Sequence, residues 1–322
     1  MTRVTSEATV SGQVLAWARL RGYRVAWGAL EAADLACHDV VGRRNSGEID
    51  AGFYASNLGW FRSPETPALG RVLVVAMPRP AHSVWFEFDG SPRQAIIPPT
   101  YVRYRDLFDE LARDLQSTVL PSGSRLERAQ VPLKSLAVRL GLVRYGRNNL
   151  TYAPDLGSYV QLFGYFTDAP LSLSKGWLPS EPELLATCES CTACRDACPT
   201  GAIGEDRVLL RAERCLTSLN ESPDPWPAWL PSNAHSCLVG CLACQTVCPE
   251  NPLLAVSDTG VAFTAEETVT ILDGRHDSPG WDALRRKLDV VRLSEEAVLG
   301  RNLRALLDAG RPDSEVPVHP DR

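Results

Sequence analysis

Nine of the ten cysteines fall between positions 188 and 248, and only Cys37 lies outside that span. The stretch CESCTACRDACPTG sets Cys188, Cys191, Cys194 and Cys198 two, two and three residues apart and follows them with Pro199. A second stretch, CLVGCLACQTVCPEN, carries Cys237, Cys241, Cys244 and Cys248 and runs into Pro249. Such crowding is not the pattern of a disulfide scaffold, which spreads its cysteines through a small secreted chain. Clustered CxxC units in a chain of 322 residues read instead as metal ligands kept as thiols in a reducing compartment.

The run CxxCxxCxxxCP is the ligand pattern of bacterial two-cluster ferredoxins, in which three thiolates close on one cubane and the fourth ligates the other. With the usual reciprocal exchange, Cys188, Cys191, Cys194 and Cys248 hold the first cluster. The second takes Cys198, Cys241 and Cys244 and needs one more thiolate. Cys237 and Cys215 compete for that place, and spacing does not decide between them. Structural zinc also uses pairs of CxxC, but it does not require two proline-terminated runs. The pattern therefore predicts two [4Fe-4S] clusters, which together form an electron relay.

The rest of the composition bounds the setting. Hydrophobic residues make up 44% and charged residues 22% of the chain. No apolar run approaches the roughly 20 residues that span a bilayer, and the opening MTRVTSEATVSGQ has no apolar signal core. A cytoplasmic protein without membrane association is expected. The net charge of -6 argues against nonspecific nucleic-acid binding, which draws on basic surface.

Periodicity organises the remainder. Residues 11–30 read as a helix and then a strand: Val14, Leu15, Trp17, Ala18 and Leu20 form the helix's buried face, Gly22 ends it, and 23–27 are the strand. RVLVVAM, 71–77, is a buried strand, and VWFEF, 84–88, a hairpin strand or loop. Residues 104–119 place Leu107, Phe108, Leu111 and Leu115 on one helical face, a second amphipathic helix covers 131–142, and 157–167 read as a strand. From 188 to 251 apolar residues thin out, so metal more than a core is expected to order the segment. After 251 the chain is expected to turn helical, with a capping box at Thr264–Glu267, helices over 281–288 and 294–307, and a disordered tail over 311–322. The division expected is a cofactor- and substrate-binding α/β domain over 1–182, a ferredoxin-like domain over 183–256 and a helical segment over 257–322, an α+β chain in all. Neither a dinucleotide fingerprint nor a P-loop is present. The densest polar stretch, RYGRNNLTYAPDLGSY, suits either a cofactor-presenting loop or a set of turns.

In order, LKSLAVRLGLVRYGRNNL, GSYVQLFGYFTDAPL, CESCTACRDACPTGAI, ERCLTSLNE and GCLACQTVCPEN resemble the epoxyqueuosine reductase family, relatives of the reductive dehalogenases. The resemblance covers about residues 100–255 and implies a nitroreductase-like domain that binds cobalamin, followed by a two-cluster ferredoxin domain. It assigns the fourth ligand of the second cluster to Cys215, in the Arg214-Cys215 pair, and leaves Cys237 as an extra thiol. It places Thr151, Gly157, Ser158, Leu162 and Thr217 where the family contacts the corrin or its tail. The family's proton-donating Asp is matched in register by Glu127 of LERAQ, although the surrounding motif is lost. Lys134 and Tyr145 are further donors in reach of that role, and Phe108 stands where the family has His. The five scattered histidines, none in a DxHxxG stretch, fit cobalamin bound without a histidine ligand.

These features predict a divergent paralogue: an oxidoreductase taking electrons from a donor such as ferredoxin or flavodoxin and passing them through two [4Fe-4S] clusters to a cobalamin. The substrate expected is a small molecule, on the strength of the negative charge and of a chain that stops short of the family's helical-repeat extension. The alternatives are an epoxyqueuosine reductase acting on tRNA, and an electron-transfer protein with a flavin or no cofactor in its first domain.

Overall fold

The structure, a computed structural model, describes residues 3–61, 69–205, 209–274, 280–290 and 296–308. In chain order its elements are α1 (Arg3–Leu20), β1 (Arg24–Gly28), α2 (Glu31–Asn45), α3 (Ala51–Asn57), β2 (Arg71–Pro78), β3 (Ala81–Phe88), β4 (Ser91–Ile97), α4 (Tyr104–Thr118), β5 (Leu126–Arg128) and α5 (Leu133–Arg139). There follow β6 (Arg144–Tyr145), β7 (Thr151–Tyr152), β8 (Val160–Thr167), α6 (Ala193–Asp196), α7 (Leu216–Glu221), α8 (Ala243–Thr246), β9 (Val256–Phe263), α9 (Ala265–Leu272), α10 (Trp281–Val290) and α11 (Glu296–Asp308).

Two compact units divide the chain differently from the boundaries read along the sequence. One joins the chain up to Pro78 with Arg105–Cys191, and the other joins Arg79–Tyr104 with the chain from Thr192 onward. The reason is strand pairing: β3 pairs with β4 and, in parallel, with β9. The β3–β4 hairpin is thereby tied to the C-terminal part of the chain, although it lies early in the sequence.

The first unit is built on a four-stranded antiparallel sheet in the order β1-β2-β8-β5. Helices cover both of its faces, so β2 reads as a continuous apolar run without alternation. Leu73, Val75 and Met77 join Phe163, Tyr165 and the inward residues of α1 and α4 in one core. Val72, Val74 and Ala76 join Ala32, Ala33 and Ala36 of α2 and Leu136 and Val138 of α5 in the other. The α4 face expected from the sequence is buried as read. On α1 the stripe is Val10, Val14, Trp17 and Ala18, while Leu15 and Leu20, expected on it, are exposed at 49% and 84%. Leu15 lies one residue, and so about 100°, off the stripe; Leu20 ends the helix.

In the second unit Phe86 of β3 stacks on Phe263 of β9 with ring centroids 4.7 Å apart. The strand β9 corrects the expectation of purely helical structure after residue 251. Only Val261 and Phe263 of its eight residues are buried, so its alternation is weak. The capping box forms as read, with the Thr264 hydroxyl accepting from the Glu267 N–H and the Glu267 carboxylate from the Thr264 N–H. Leu238 and Val239, inside the second cysteine stretch, share a core with Val84, Ile97, Ile271 and Leu299. The cysteine region therefore has an apolar anchor beside the metal expected to do most of its ordering. The expected tail over 311–322 and the first turn of the helix expected over 294–307 lie outside the described residues.

Candidate metal centre

The two cysteine runs take the same backbone course. In the first, the amides of Arg195 and Asp196 bond to Thr192 O, Cys198 N to Arg195 O and Gly201 N to Cys198 O. In the second, the amides of Gln245 and Thr246 bond to Leu242 O, Cys248 N to Gln245 O and Asn251 N to Cys248 O. Each CxxC thus opens a single helical turn, α6 or α8, which closes at the last cysteine before its proline. All ten cysteines are thiols rather than disulfides.

Five thiols of the second unit are linked by charge. The charge of Cys198 bears on Cys215, those of Cys215 and Cys198 on Cys241, and those of Cys241, Cys215, Cys194 and Cys198 on Cys244. Burial pushes Cys215 up, pushes Cys241 up to about 11 and pushes Cys244 well beyond the ordinary thiol range, with neighbouring thiolates adding to the rise. At Cys198 burial also opposes the thiolate, but donors from Thr200, Ile203 and Ala202 outweigh it and the pKa falls below that of an ordinary thiol. As bare thiols most of this group would keep their protons. A cationic centre is what allows such half-buried thiolates to coexist.

Backbone donors aim at the same sulfurs. Cys215 caps α7 and receives N–H groups from Thr217 and Ser218 and the Thr217 hydroxyl, while Cys241 receives N–H groups from Leu242 and Ala243. Such donors are the second shell through which proteins tune cluster potentials. No three His, Cys, Asp or Glu side chains among the described residues converge as a single-ion site. The thiols act on one another through charge, and a cubane spreads its ligands wider than one ion does. The donor set fits an iron–sulfur cubane.

Clamps fix the segment that presents Cys215 and Cys241. The Arg214 guanidinium donates to Thr200 O at 3.2 and 3.3 Å and lies 4.4 Å over the Trp229 ring. This ties Cys215 to the turn that follows Cys198. Asn220 donates to Gly240 O at 2.9 Å, and buried Asn302 donates to Asn220 O and Leu238 O, each at 3.0 Å. Gly240 sits at φ +64, and a Cβ there would come 2.5 Å from the Tyr101 hydroxyl. The sequence singled out Arg214 and missed these asparagines, because a buried amide bonded to backbone carries no spacing signal. Cys237 is 1% exposed beside the core residues Leu238 and Val239.

In the first unit the residues matched to corrin contacts lie along one stretch, 151–162, that runs from β7 through a tight turn into β8. Thr151 is buried on β7 opposite Tyr145, Gly157 closes a tight turn onto Ala153 at φ +64, Ser158 is buried, and Leu162 lies on β8 opposite Ala76. Thr217, matched to the same role, belongs to the second unit and donates to the Cys215 thiol. Glu127 is exposed on the edge strand β5, opposite Phe166. It shares a sheet face with Leu162 but sits four residues further along β8, roughly 13 Å away. The other donors have partners: Lys134 donates to Asn149 O at 3.1 Å, and the Tyr145 hydroxyl meets Ser135 Oγ at 3.0 Å. Burial raises the Tyr145 pKa. Phe108, at the family's His position, is core, edge-on to Phe163.

The polar groups of the RYGRNNL loop serve its own shape. Asn148 donates to the Tyr152 hydroxyl at 2.9 Å and accepts from Leu150 N, and Asn149 turns the chain at φ +60. Arg147 is the exception. Its backbone N–H reaches Cys188 Sγ at 3.4 Å and its guanidinium reaches Cys188 O at 2.6 Å.

A protein-family model described as a 4Fe-4S double cluster binding domain matches residues 187–251, which contain all nine clustered cysteines. The chain is 34% identical over 128 residues to an epoxyqueuosine reductase of Bacillus subtilis (strain 168), a match covering 40% of this chain and 31% of that protein. It is 36% identical over 152 residues to that of Pseudomonas aeruginosa, covering 46% and 40%. Over 189 residues it is 32% identical to that of Alicycliphilus denitrificans, covering 54% and 50%. The chain thus spans from 31% to 50% of these curated relatives. Among solved structures, an epoxyqueuosine reductase from Bacillus subtilis superposes with a TM-score of 0.66 at 21% identity, over 94% of this chain and 82% of that one. An epoxyqueuosine reductase solved with an epoxyqueuosine-modified tRNA-Tyr stem loop superposes with a TM-score of 0.65 at 20% identity, over 96% and 84%. The resemblance read from the sequence is borne out, and the fold is that of these reductases.

Proposed function

We propose that this chain is an iron–sulfur oxidoreductase that reduces an epoxide on a modified tRNA nucleoside. The observation that carries the reading is the group of mutually interacting thiols Cys198, Cys241 and Cys244, set on two turns of matching hydrogen bonding, and Cys215 at the start of α7. With Cys188, Cys191, Cys194 and Cys248 for the other cluster, this supports two [4Fe-4S] centres and favours Cys215 over Cys237. The relatives named epoxyqueuosine reductase, one of them solved with a modified tRNA stem loop, support the choice of substrate. The small-molecule substrate expected from the net charge finds no such support. Net charge is a sum over the surface, and a local basic patch suffices for an RNA loop.

A cobalamin bound along the stretch of Thr151, Gly157, Ser158 and Leu162 would supply a low-potential metal centre for the reduction. Those residues offer hydroxyls, main chain and an apolar side chain, which suits the amide-fringed edge of a corrin. Their role is to hold and orient it and to keep water away. Exposed Glu127 is the residue to deliver a proton to the epoxide oxygen, at a position where substrate can reach it. An outside donor of the ferredoxin or flavodoxin kind supplies the electrons. Thiolates of this kind need a reducing compartment, in keeping with the cytoplasmic setting expected.

The test is anaerobic incubation of the iron-loaded chain, with cobalamin and a low-potential reductant, on tRNA carrying epoxyqueuosine. Nucleoside mass spectrometry is expected to show queuosine. Unchanged epoxyqueuosine with a fully loaded chain contradicts the substrate, and iron loading without cobalt uptake favours the electron-transfer alternative.

A further inference from the structure

Arg147 is held in an unusual way for a loop arginine. Its loop is locked by Gly146 N donating to Leu150 O at 2.8 Å, Asn149 N to Gly146 O at 2.9 Å and Leu150 N to the Asn148 side chain at 3.2 Å. Gly146 has no room for a side chain, because a Cβ there would come 2.5 Å from the Tyr152 ring. The approach of residues 183–188 is fixed as firmly. Tyr145 N donates to Glu183 O at 3.1 Å, Leu185 N to Tyr145 O at 2.8 Å and Cys188 N to Leu185 O at 2.9 Å. Two rigid segments therefore meet at Cys188, where Arg147 donates its amide to the sulfur at 3.4 Å and its Nη2 to the carbonyl at 2.6 Å. Its Nε–H is buried with no acceptor, and no carboxylate pairs with it among the described residues.

A half-buried guanidinium whose Nε–H is shut off from water and meets no counter-ion is costly unless negative charge is supplied nearby. A cluster bearing four thiolates supplies it. We propose that Arg147 is a positioning residue for Cys188 and raises the reduction potential of the cluster that Cys188 ligates. The inference rests on the proposed function, since it needs that cluster. Its cause is twofold. An N–H donor on a ligand sulfur and an uncompensated positive charge beside it both stabilise the form that has gained an electron. The same hairpin carries Thr151 on its next strand, so one rigid turn sets both the cluster ligand and a proposed cofactor contact.

The experiment is an EPR-monitored redox titration of the anaerobically reconstituted chain beside its Arg147→Gln and Arg147→Lys variants, with iron counted for each. In R147Q one of the two cluster potentials is expected to fall while the other stays in place, and R147K, which keeps the charge, is expected to fall less. A purely structural role would cost iron without moving the potential of the clusters that remain. Two clusters in the wild type with both potentials unmoved in R147Q overturns this inference and leaves the proposed function standing. A wild type that takes up no cluster overturns both. If R147Q loads no iron, R147K decides: a fall in one potential supports the role, and none contradicts it.

Discussion

The sheet of the first unit and the cysteine segment of the second are ordered by different forces. Around β2 and β8 two apolar cores press on both faces of one sheet, and Leu73, Val75, Val72, Val74 and Phe163 are all fully buried. Between Thr192 and Ser236 the buried apolar side chains are few and small in comparison: Cys194, Ala202, Ile203, Leu216 and Ala234 among the described residues. Polar clamps from Arg214, Asn220 and Asn302 and a set of half-buried thiols take the place of a core there. The difference teaches that one region folds by burial and the other by ligation.

Removing iron should split the two regions most sharply. Anaerobic chelation is expected to abolish hydrogen-exchange protection across residues 192–251 while the amides of β2 and β8 stay protected. Equal loss in both would show that the comparison is false. Gly240→Ala attacks the ligated region from its clamp, because the added methyl meets Tyr101 and the left-handed φ of +64 disfavours it. Loss of about half the iron on reconstitution, with the sheet intact by circular dichroism, is the expected outcome.

Phe163→Ala tests the other side. A fully buried ring packed edge-on to Phe108 should cost about 3–5 kcal/mol in a denaturant melt, with iron per folded chain unchanged. Acid sharpens the contrast last. His235 is buried against the Trp226 ring, and burial together with the Arg301 charge lowers its pKa to about 4. The unfolded state takes up the proton first, so this contribution is whole above pH ~6.5 and is lost as pH falls toward 4. It amounts to about 3 kcal/mol at most. His235→Phe should flatten that part of the stability profile, and an unchanged slope between pH 7 and 5 counts against it.

Where strong local chemistry dictated structure, the sequence was readable: the two ligand runs, the apolar β2, the α4 stripe and the Thr264 capping box. Helix α2 was not, because its buried face is Ala32, Ala33 and Ala36, too small to register as a hydrophobic period. Its place depends on a close approach to α5 and on Asp39 taking Arg139 through two bonds of 2.7 and 3.0 Å. The grouping of β3 and β4 with the C-terminal part was hidden for another reason, since parallel pairing with β9 joins residues some 170 apart and leaves no local mark. At the metal centre the ligands were legible and their supports were not. Spacing could not choose between Cys215 and Cys237, whereas the thiol charges acting on Cys241 and Cys244 favour Cys215.

The most direct test of the central claim is iron and sulfide per chain after anaerobic reconstitution of the wild type, Cys215→Ser and Cys237→Ser. The account predicts about eight irons in the wild type, a loss of up to half in C215S and no loss in C237S. Zinc in place of iron, or iron lost in C237S and kept in C215S, would contradict it.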